Sequence, residues 1–390
     1  MPTYLDHAAT TPIRPQVLAT YLDALQRVGN PSSVHKFGQD ARNALEAARE
    51  SLALSVDGNR SEVIFTSGGT ESDNLAIKGL YWQRNGDDSN RNIIITAGTE
   101  HHGVLDPIYW LVDHQGAEVV MVPVDSRGVF DLDWLGRYLA ANGSHVALIS
   151  LMWVNNETGV IADIPAITAL AAEFGIPVHT DAVAAFGHTP IDFASSGLAA
   201  MSISAHKIGG PVGSGALIVG RAVKLTSLVH GGGQERGMRS GTMDAAGAQA
   251  FALAAELALA ELESEETRLA VLSERLVAGV KTIAPDAILS RGDAKGLAAT
   301  VHFTFPGCSA DSMIFLLDAA GVSVSAGSAC TAGVNRPSHV LLAMGRSEDE
   351  ATGALRITLG YTTTDADIDN FLEAFPSVHL SAKKAGLPSK

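Results

Sequence analysis

Val146-Ala147-Leu148-Ile149-Ser150 is the longest of seven short apolar runs that alternate with helix-like segments between Glu62 and Val219. Such uninterrupted runs are typical of strands buried on both faces, and their alternation with helices predicts parallel β-α-β units. We therefore predict an α/β fold with a mostly parallel seven-stranded sheet between layers of helices. The other runs are Val63-Ile64-Phe65, Ile93-Ile94-Ile95, Val119-Val120-Met121-Val122, Pro177-Val178-His179, Met201-Ser202-Ile203 and Ala216-Leu217-Ile218-Val219.

A second, smaller unit is expected after this region. The Ala- and Glu-rich sequence from Asp244 to Ile283 has helical periodicity, which predicts one long connecting helix or a helix pair. At 390 residues the chain exceeds a single average core. We assign residues 16–258 to a large domain, and residues 1–15 and 259–390 to a small α+β domain. The small-domain elements are predicted at Ala298–Phe305, Ser309–Ala320, Val322–Ser325, Ser338–Met344, Leu355–Leu359 and Asp365–Phe375.

Composition and charge exclude several classes of function. Lys and Arg total 27 against 42 Asp and Glu, a net charge of −15, which argues against a nucleic-acid partner. No apolar run reaches the roughly 18 residues of a membrane helix, and the first residues do not resemble a secretory signal. We expect a cytoplasmic protein that neither binds nucleic acid directly nor enters a membrane.

The chain has only two cysteines, Cys308 and Cys330. Two are too few for a disulfide framework or for a structural zinc site, so no metal is expected. Cys308 follows the apolar run that ends at Phe305 and is interpreted as a packing or turn residue. Cys330 lies in a stretch of small residues that predicts a mobile loop, where an exposed thiolate could react.

Polar residues follow the predicted strands at the points where the strands end. Ligands of open α/β sheets bind beyond the C-terminal ends of the strands, so we expect these residues to converge on one site. They are Thr66-Ser67-Gly68-Gly69-Thr70, Glu100-His101, Asn155-Asn156-Glu157, Asp181 and Ser204–Lys207.

The residue types in this set suggest a phosphorylated aldehyde cofactor. A strand-end lysine, Lys207, could form an imine with a carbonyl group, and Asp181 could keep a pyridine nitrogen protonated. His101 could stack on the ring and move protons, while the helix start at Ser67–Thr70 favours a phosphate. Each alone has a structural alternative, such as a surface lysine, a packing histidine or a helix cap.

Eight segments, in order over nearly the whole chain, carry a resemblance to a known family. They are Asp6–Pro12, Gly29–Ser33, Phe65–Asn74, Thr99–His101, Val154–Glu157, Ser204–Lys207, His230–Thr242 and Gly327–Thr331. Together they resemble the cysteine desulfurases of the NifS/IscS group, within the class V aminotransferase superfamily. The resemblance implies fold type I of the enzymes that use pyridoxal 5'-phosphate (PLP), and a homodimer with sites near the subunit interface.

The resemblance also implies a role for each matching residue. Lys207 corresponds to the Schiff-base lysine, Asp181 to the partner of the pyridine nitrogen and His101 to the stacking acid/base. Asn156 corresponds to a contact to the ring substituent. The phosphate would be held by Gly69, Thr70, Ser204 and His206, with Thr242 reaching it from the other subunit. The carboxylate of the substrate would be bound by Arg356 with help from Asn30.

The implied reaction converts L-cysteine to L-alanine and leaves the sulfur on Cys330 as a persulfide. The sulfur would then pass to an acceptor protein, such as an iron–sulfur scaffold or a thiolation enzyme. Alternatives are another class V enzyme, such as a selenocysteine lyase or an aminotransferase, and a sulfur-relay subunit that has lost catalysis.

The sequence departs from the family pattern at two positions. Ala184 stands where the family usually has Gln, whose amide donates a hydrogen bond to the phenolic oxygen of the cofactor. Alanine cannot donate that bond, so the electronic tuning of the cofactor is expected to differ. Ala205 replaces a common Gly, which adds one methyl group near the phosphate.

Overall fold

The computed structural model describes residues 2–327 and 337–385. Within these ranges the chain forms twelve strands and eleven α-helices. The strands are β1 (Thr3–Tyr4), β2 (Val63–Thr66), β3 (Ile93–Thr96), β4 (Glu118–Met121), β5 (Val146–Ser150), β6 (Val178–Asp181), β7 (Ala200–Ser204), β8 (Gly215–Val219), β9 (Ile288–Leu289), β10 (Thr300–Thr304), β11 (Val322–Ser323) and β12 (Ala354–Thr358). The helices are α1 (Pro15–Leu25), α2 (Lys36–Leu54), α3 (Gly69–Asp87), α4 (His102–Gln115), α5 (Leu132–Asn142), α6 (Ile164–Ala172), α7 (Ala245–Ile283), α8 (Ala310–Ala319), α9 (His339–Ala343), α10 (Glu348–Thr352) and α11 (Asp365–Ala385), and 3-10 turns lie at Arg60–Glu62, Gly143–His145, Ala205–Lys207 and Glu235–Gly237.

Seven strands form a central sheet in the order β2-β8-β7-β6-β5-β3-β4. β8 runs antiparallel to both of its neighbours, and the other adjacent strands run parallel. All seven predicted strands are present. The prediction of an α/β fold with a mostly parallel seven-stranded sheet is confirmed.

Apolar side chains pack on both faces of this sheet, which explains why its strands lack a polar alternation. In β3, Ile93 and Ile95 belong to one buried cluster, whereas Ile94 belongs to the cluster on the opposite face. The strands therefore lie between two layers of apolar core, and polar side chains occur at the strand ends.

The smaller unit is built on a second set of strands. β10 pairs antiparallel with β12 and with β9, and β1 pairs parallel with β11. Leu5, directly after β1, lies in the same apolar cluster as Phe303, Leu355 and Phe371. The N-terminal segment thus packs against the C-terminal strands, while the domain limits given above stay a prediction.

The sequence predicted one long helix or a helix pair, and the structure has the single helix α7 of 39 residues. Asp244 caps its start, where Oδ1 accepts a hydrogen bond from the Gly247 amide at 2.8 Å. Ala258 packs in a core cluster of the central sheet and Leu269 in that of the smaller unit. Of the described helices, α7 alone is long and apolar enough to cross a membrane, but half of the window that meets this criterion is buried in the fold.

The last helix differs from its prediction. The sequence predicted an element at Asp365–Phe375, directly before Pro376, a residue that lacks the amide hydrogen of an interior helical bond. α11 instead continues to Ala385 with Pro376 inside it. A stripe of buried apolar residues with helical spacing runs past the proline and holds both halves of α11 against the core: Ile368, Phe371, Phe375, Val378 and Ala382.

Candidate active site

A cavity of about 370 Å³ lies at the C-terminal ends of the central strands. It collects residues that are far apart in sequence but follow neighbouring strands, as expected for an open α/β sheet. Asp181 ends β6, and Lys207 follows β7 in a 3-10 turn. The predicted residues that line the cavity are Gly69, Thr70, His101, Asn156, Asp181, Ser204, His206, Lys207 and Arg356.

The Lys207 amine contacts the N-terminal segment of the chain. Its Nζ donates hydrogen bonds to the carbonyl oxygens of Ala8 and of Ala9, the latter at 3.0 Å. Thr11 donates its amide to the His206 carbonyl at 3.0 Å, which fixes this segment against the lysine turn. The floor of the cavity therefore depends on a segment that packs with the smaller unit.

One end of the cavity suits a phosphate group. α3 begins there, and its N-cap, Gly68, provides no side-chain cap for the first amides. A Cβ on Gly69 would lie 2.6 Å from Val183 Cγ2, so any side chain here would have to displace the Val183 side chain. Ser204 Oγ is buried and has no hydrogen-bond partner within the described ranges. An anion at this end would accept hydrogen bonds from both the first amides of α3 and Ser204 Oγ.

His206 lies at the same end in a neutral form. Its Nδ1 is 3.2 Å from Thr10 Oγ1. Burial and, to a smaller extent, the Lys207 charge lower the pKa of His206 to about 4. The ring therefore presents one N–H donor and no charge at neutral pH.

The Asp181 carboxylate lies deep in the cavity, and three groups favour its ionised form. Burial raises the pKa of Asp181, and the nearby His101, the amide of Val183 and Lys207 oppose this effect. The Val183 amide donates to Asp181 Oδ1 at 2.8 Å. A carboxylate in this position can hold a proton on a ring nitrogen of a bound cofactor.

Two further buried carboxyl groups surround Asp181, and the sequence reasoning missed both roles. Burial and the charge of Asp181 raise the pKa of Asp73 well above its ordinary value. Burial, and to a smaller extent Asp181, raise that of Glu100. Glu100 Oε1 accepts the Met152 amide at 2.9 Å. Asp73 stands three residues after Thr70, on the same face of α3, which is the signal that could have found it.

A buried histidine, His179, lies between the Asp73 carboxyl group and the serine side chains of the neighbouring strands. His179 Nδ1 is 2.9 Å from Ser150 Oγ, and Nε2 is 3.0 Å from Ser202 Oγ. Asp73 Oδ1 lies 3.7 Å from the same Nε2. Burial lowers the pKa of His179 to about 3, so the ring is neutral. His179 precedes Asp181 by two residues and points to the same face of β6.

His101 both caps a helix and lines the cavity. Its Nδ1 accepts a hydrogen bond from the Gly103 amide at 3.0 Å, at the start of α4. Burial lowers the pKa of His101, although Asp181 raises it. Because Nδ1 is an acceptor, the neutral ring carries its proton on Nε2, an assignment that rests on this hydrogen bond.

Arg356 approaches the cavity from β12 and is 4% exposed. One guanidinium nitrogen, Nη1, donates to the Asn156 carbonyl at 3.0 Å, and the other, Nη2, to Asp6 Oδ1 at 2.9 Å. No described group bonds its Nε. Arg356 thus forms an internal ion pair with Asp6, which follows β1, rather than a surface pair, and it lines the cavity.

Ala184 lies between this cavity and a second one of about 40 Å³. The smaller cavity is also lined by Lys207 and by His188, whose Nε2 is 3.3 Å from the Lys207 carbonyl oxygen. The methyl group of Ala184 thus leaves a small space beside the lysine, and the side chain at this position supplies no hydrogen bond.

Three predicted residues are not among those that line the cavity. Thr242 lines a separate cavity of about 120 Å³ together with Ser67 and Arg239. Asn30 is exposed, and its Oδ1 accepts the Ser32 amide at 2.9 Å. Cys330 lies outside the described residues. The roles assigned to these three residues stay predictions.

Comparison with known proteins decides the family. The chain matches the class-V aminotransferase family from residue 3 to residue 371. It belongs to this family. An IscS-like cysteine desulfurase of Mycobacterium tuberculosis (strain ATCC 25618 / H37Rv) is 48% identical over 98% of this chain and 98% of its own length. A cysteine desulfurase IscS of Methanosarcina thermophila is 40% identical over 96% of this chain and 91% of its own length.

Solved structures agree with this membership. A NifS-like protein from Rickettsia africae ESF-5 superimposes with a TM-score of 0.87 at 32% identity, over 97% of this chain and 99% of its own. A structure described as SspA in complex with cysteine gives a TM-score of 0.80 at 33% identity, over 92% of this chain and 98% of its own. The resemblance drawn from the sequence motifs is confirmed. Class-V aminotransferases and cysteine desulfurases are PLP enzymes.

Proposed function

We propose that the chain is a PLP-dependent cysteine desulfurase, which converts L-cysteine to L-alanine and carries the released sulfur as a persulfide on Cys330. The observation that carries this proposal is the single cavity that holds an amine, a buried carboxylate, a phosphate end and a buried arginine. They belong to Lys207, Asp181, the α3 start with Ser204, and Arg356. Membership in the class-V aminotransferase family supports it.

The cavity fits PLP at both of its ends. The phosphate would be held by the first amides of α3, by Ser204 Oγ and by the neutral N–H of His206. Asp181 would bind the pyridine nitrogen, and Asn156, whose Oδ1 is buried without a partner among the described residues, would contact a ring substituent. When bound, PLP supplies an electron sink for the pair of electrons released at the substrate Cα.

Different side chains of the cavity bind the substrate and transfer its protons. Arg356 binds and orients the substrate carboxylate by charge-assisted hydrogen bonds. Lys207 Nζ takes the proton from the substrate Cα, and His101 Nε2 holds a proton near the substrate thiol. Met152 and Val154 form a buried apolar wall of the cavity, which would limit the access of water to the reacting carbon.

The sulfur step is a displacement at the substrate sulfur by the Cys330 thiolate. A sulfur–sulfur bond forms while the Cβ–S bond breaks, and the electron pair of the broken bond stays with the carbon skeleton, which takes up a proton. The balance is L-cysteine plus the Cys330 thiol giving L-alanine plus the Cys330 persulfide. The persulfide sulfur then passes to a thiol of an acceptor protein, such as an iron–sulfur scaffold or a thiolation enzyme.

An exposed apolar face supports a homodimer. Leu18, Leu22 and Leu25 follow one face of α1 and are 41%, 51% and 56% exposed. Beyond α1, Val28 and Val34 are 81% and 87% exposed, on either side of Asn30 in the sequence. Exposed apolar patches of this kind mark interfaces. We also propose that this homodimer acts in the cytoplasm.

Incubation with L-cysteine followed by peptide mass spectrometry tests the proposal. We expect L-alanine in solution and added sulfur on Cys330. A Cys330→Ser protein that transfers sulfur to a protein acceptor at the native rate would contradict the assignment, and a keto acid product would indicate transamination. Lys207→Ala should lose the near-visible absorbance of the bound cofactor, whereas retained covalent colour would exclude this lysine.

A further inference from the structure

Glu157 touches both described ends of the stretch that carries Cys330. Residues 328–336 contain this cysteine, Gly327 precedes them, and Ser338 follows Pro337. Ser338 Oγ donates to Glu157 Oε2 at 2.5 Å. On the other side, Gly327 packs so closely that a Cβ there would lie 3.1 Å from Glu157 Oε2 and 3.2 Å from its Cδ. One buried carboxyl group thus contacts the chain before and after the thiol.

Burial and hydrogen bonds of the surrounding turn fix the position of Glu157. The side chain is buried, with 1% of the residue exposed. Asn155 Oδ1 accepts the amides of Glu157 at 3.0 Å and of Thr158 at 2.8 Å, which locks the turn. The carbonyl of the intervening Asn156 accepts from Arg356. Glu157 therefore belongs to the same rigid turn that contacts the arginine of the cavity.

On the N-terminal side of the cysteine stretch, the backbone at Gly327 packs closely against Glu157. Ser325 and Arg356 exchange backbone hydrogen bonds at 3.1 and 2.6 Å, and the Gly327 amide donates to Ser325 Oγ at 3.1 Å. Gly327 has a φ of +84°, which favours glycine. Both the backbone conformation and the contact with Glu157 thus specify glycine at the last described residue before the cysteine stretch.

The chain on the C-terminal side is tied to the cavity as well. Ser338 caps α9 by accepting the Leu341 amide at 3.2 Å. The next residue, His339, places Nε2 2.8 Å from the carbonyl oxygen of Glu100, next to His101. Ser338 thus links the start of α9 to Glu157, and His339 links it to the cavity wall.

We propose that Glu157 is a positioning residue that fixes both ends of the Cys330 stretch relative to the cavity. The reach of a thiol on a tethered segment depends on where the two ends are held, because loosening them lowers its effective concentration at the substrate sulfur. The sulfur step therefore depends on Glu157 and Ser338, whereas proton removal at the substrate Cα does not. This inference rests on the proposed role of Cys330.

Two reactions of the holoenzyme separate these steps. Exchange of the Cα hydrogen of L-alanine in deuterated water, followed by NMR, requires proton transfer at carbon but no thiol. Single-turnover formation of L-alanine from L-cysteine requires the Cys330 thiol. We expect Ser338→Ala to slow the second reaction about tenfold, the worth of about one hydrogen bond, and to change the first less than twofold. Glu157→Ala should slow the second reaction more, and Glu157→Gln, whose amide oxygen still accepts from Ser338, should recover most of the rate.

Ser347→Ala is the matched control. Ser347 caps α10 as Ser338 caps α9, with the Glu350 amide 3.3 Å from its Oγ, but its hydrogen bonds stay within that helix start. It should leave both reactions unchanged. As a readout independent of turnover, the rate of Cys330 alkylation by iodoacetamide, measured by mass spectrometry, should change at least threefold in Ser338→Ala and not in Ser347→Ala.

The outcomes distinguish the inference from the proposed function. Equal losses in exchange and in desulfuration for Ser338→Ala would show that Glu157 supports the cavity as a whole, and no loss would show that the ends are held without it. Either result overturns the inference. If Cys330→Ser retains desulfuration, the proposed function itself is wrong; if it abolishes desulfuration while Ser338→Ala has no effect, only the inference fails.

Discussion

Arg356→Ala removes the one guanidinium of β12 that lines the cavity, and its effect can be estimated from the contacts of that group. The arginine is 4% exposed, so its charge acts on a bound carboxylate with little screening by water. Truncating one member of a buried hydrogen-bonded charge pair costs about 3–5 kcal/mol. We therefore expect kcat/KM for L-cysteine to fall roughly 10²- to 10⁴-fold.

The assay compares two ligands that differ only in the carboxylate. L-alanine and ethylamine share the amine and the carbon skeleton, and only L-alanine has the group that Arg356 would bind. In the unmodified protein L-alanine should inhibit desulfuration at a far lower concentration than ethylamine. In Arg356→Ala the two inhibition constants should approach one another, because the ethylamine constant changes little.

The control separates lost binding from a general loss of an ion pair. Arg275 pairs with Asp365 and Asp369 on the surface, with its side chain 40% exposed, and lies away from the cavity. Arg275→Ala should keep kcat/KM within about twofold, since exposed pairs contribute little. An Arg356→Ala protein that is folded by circular dichroism and still prefers L-alanine over ethylamine by the native ratio would refute the reasoning.

Four other predictions concern cofactor tuning, pH, stability and assembly. Ala184→Gln should lower the pH midpoint of the near-visible absorbance by about one unit, the worth of roughly one hydrogen bond to the phenolic oxygen; an unchanged midpoint would show that the amide does not reach it. Glu100→Gln should become more stable relative to the unmodified protein as pH rises above the ordinary carboxyl value of 4.5, by up to about 1.4 kcal/mol per pH unit. Burial raises the pKa of Glu100 in the folded protein, so above that pH folding requires the carboxyl group to take up a proton that the unfolded chain has lost, and glutamine has no such cost. Denaturant titrations from pH 5 to pH 8 measure this, and parallel pH profiles would contradict it. Glu235→Gln breaks a buried bidentate pair in which both carboxylate oxygens lie 2.7 Å from Arg49, so the free energy of unfolding should fall by about 3–5 kcal/mol. The control Glu261→Gln, in a pair whose carboxylate side is 44% exposed, should cost under about 1 kcal/mol, and equal losses would refute the difference. Leu22→Glu should halve the mass measured by light scattering, and an unchanged mass would place the dimer interface elsewhere.

The sequence predicted the central sheet because its strands are buried on both faces and leave uninterrupted apolar runs. It also predicted the strand-end residues, since neighbouring parallel strands end at one edge of the sheet. Asp181 and Lys207 were identified in this way and line the same cavity. The contacts of Lys207 to the carbonyl groups of Ala8 and Ala9 were not predictable, because they depend on how the smaller unit packs against the sheet.

The buried carboxyl groups show why part of the site escaped prediction. Asp73 lies on α3, Glu100 after β3 and His179 on β6, and no local pattern relates these positions. Their proximity follows from the lateral order of the strands and from the packing of α3 across β5, β6 and β7. Periodicity gives the face of an element but not its neighbours. Glu157 was among the strand-end residues that the sequence indicated, but its contacts were not predictable, since Gly327 and Ser338 are far away in sequence.

The crowding of carboxyl groups decides which of them carries the charge in the cavity. Asp73, Glu100 and Asp181 are all buried near one another, and the charge of ionised Asp181 raises the pKa of both Asp73 and Glu100. Burial raises the pKa of Asp181 as well, but His101 and Lys207 oppose that rise, and its Oδ1 accepts a backbone amide. A proton on a ring nitrogen would add a further stabilising charge. Ionisation is therefore most favourable at Asp181, and the raised pKa values of Asp73 and Glu100 favour their neutral forms, which lessens the repulsion that a charge at the end of β6 would meet.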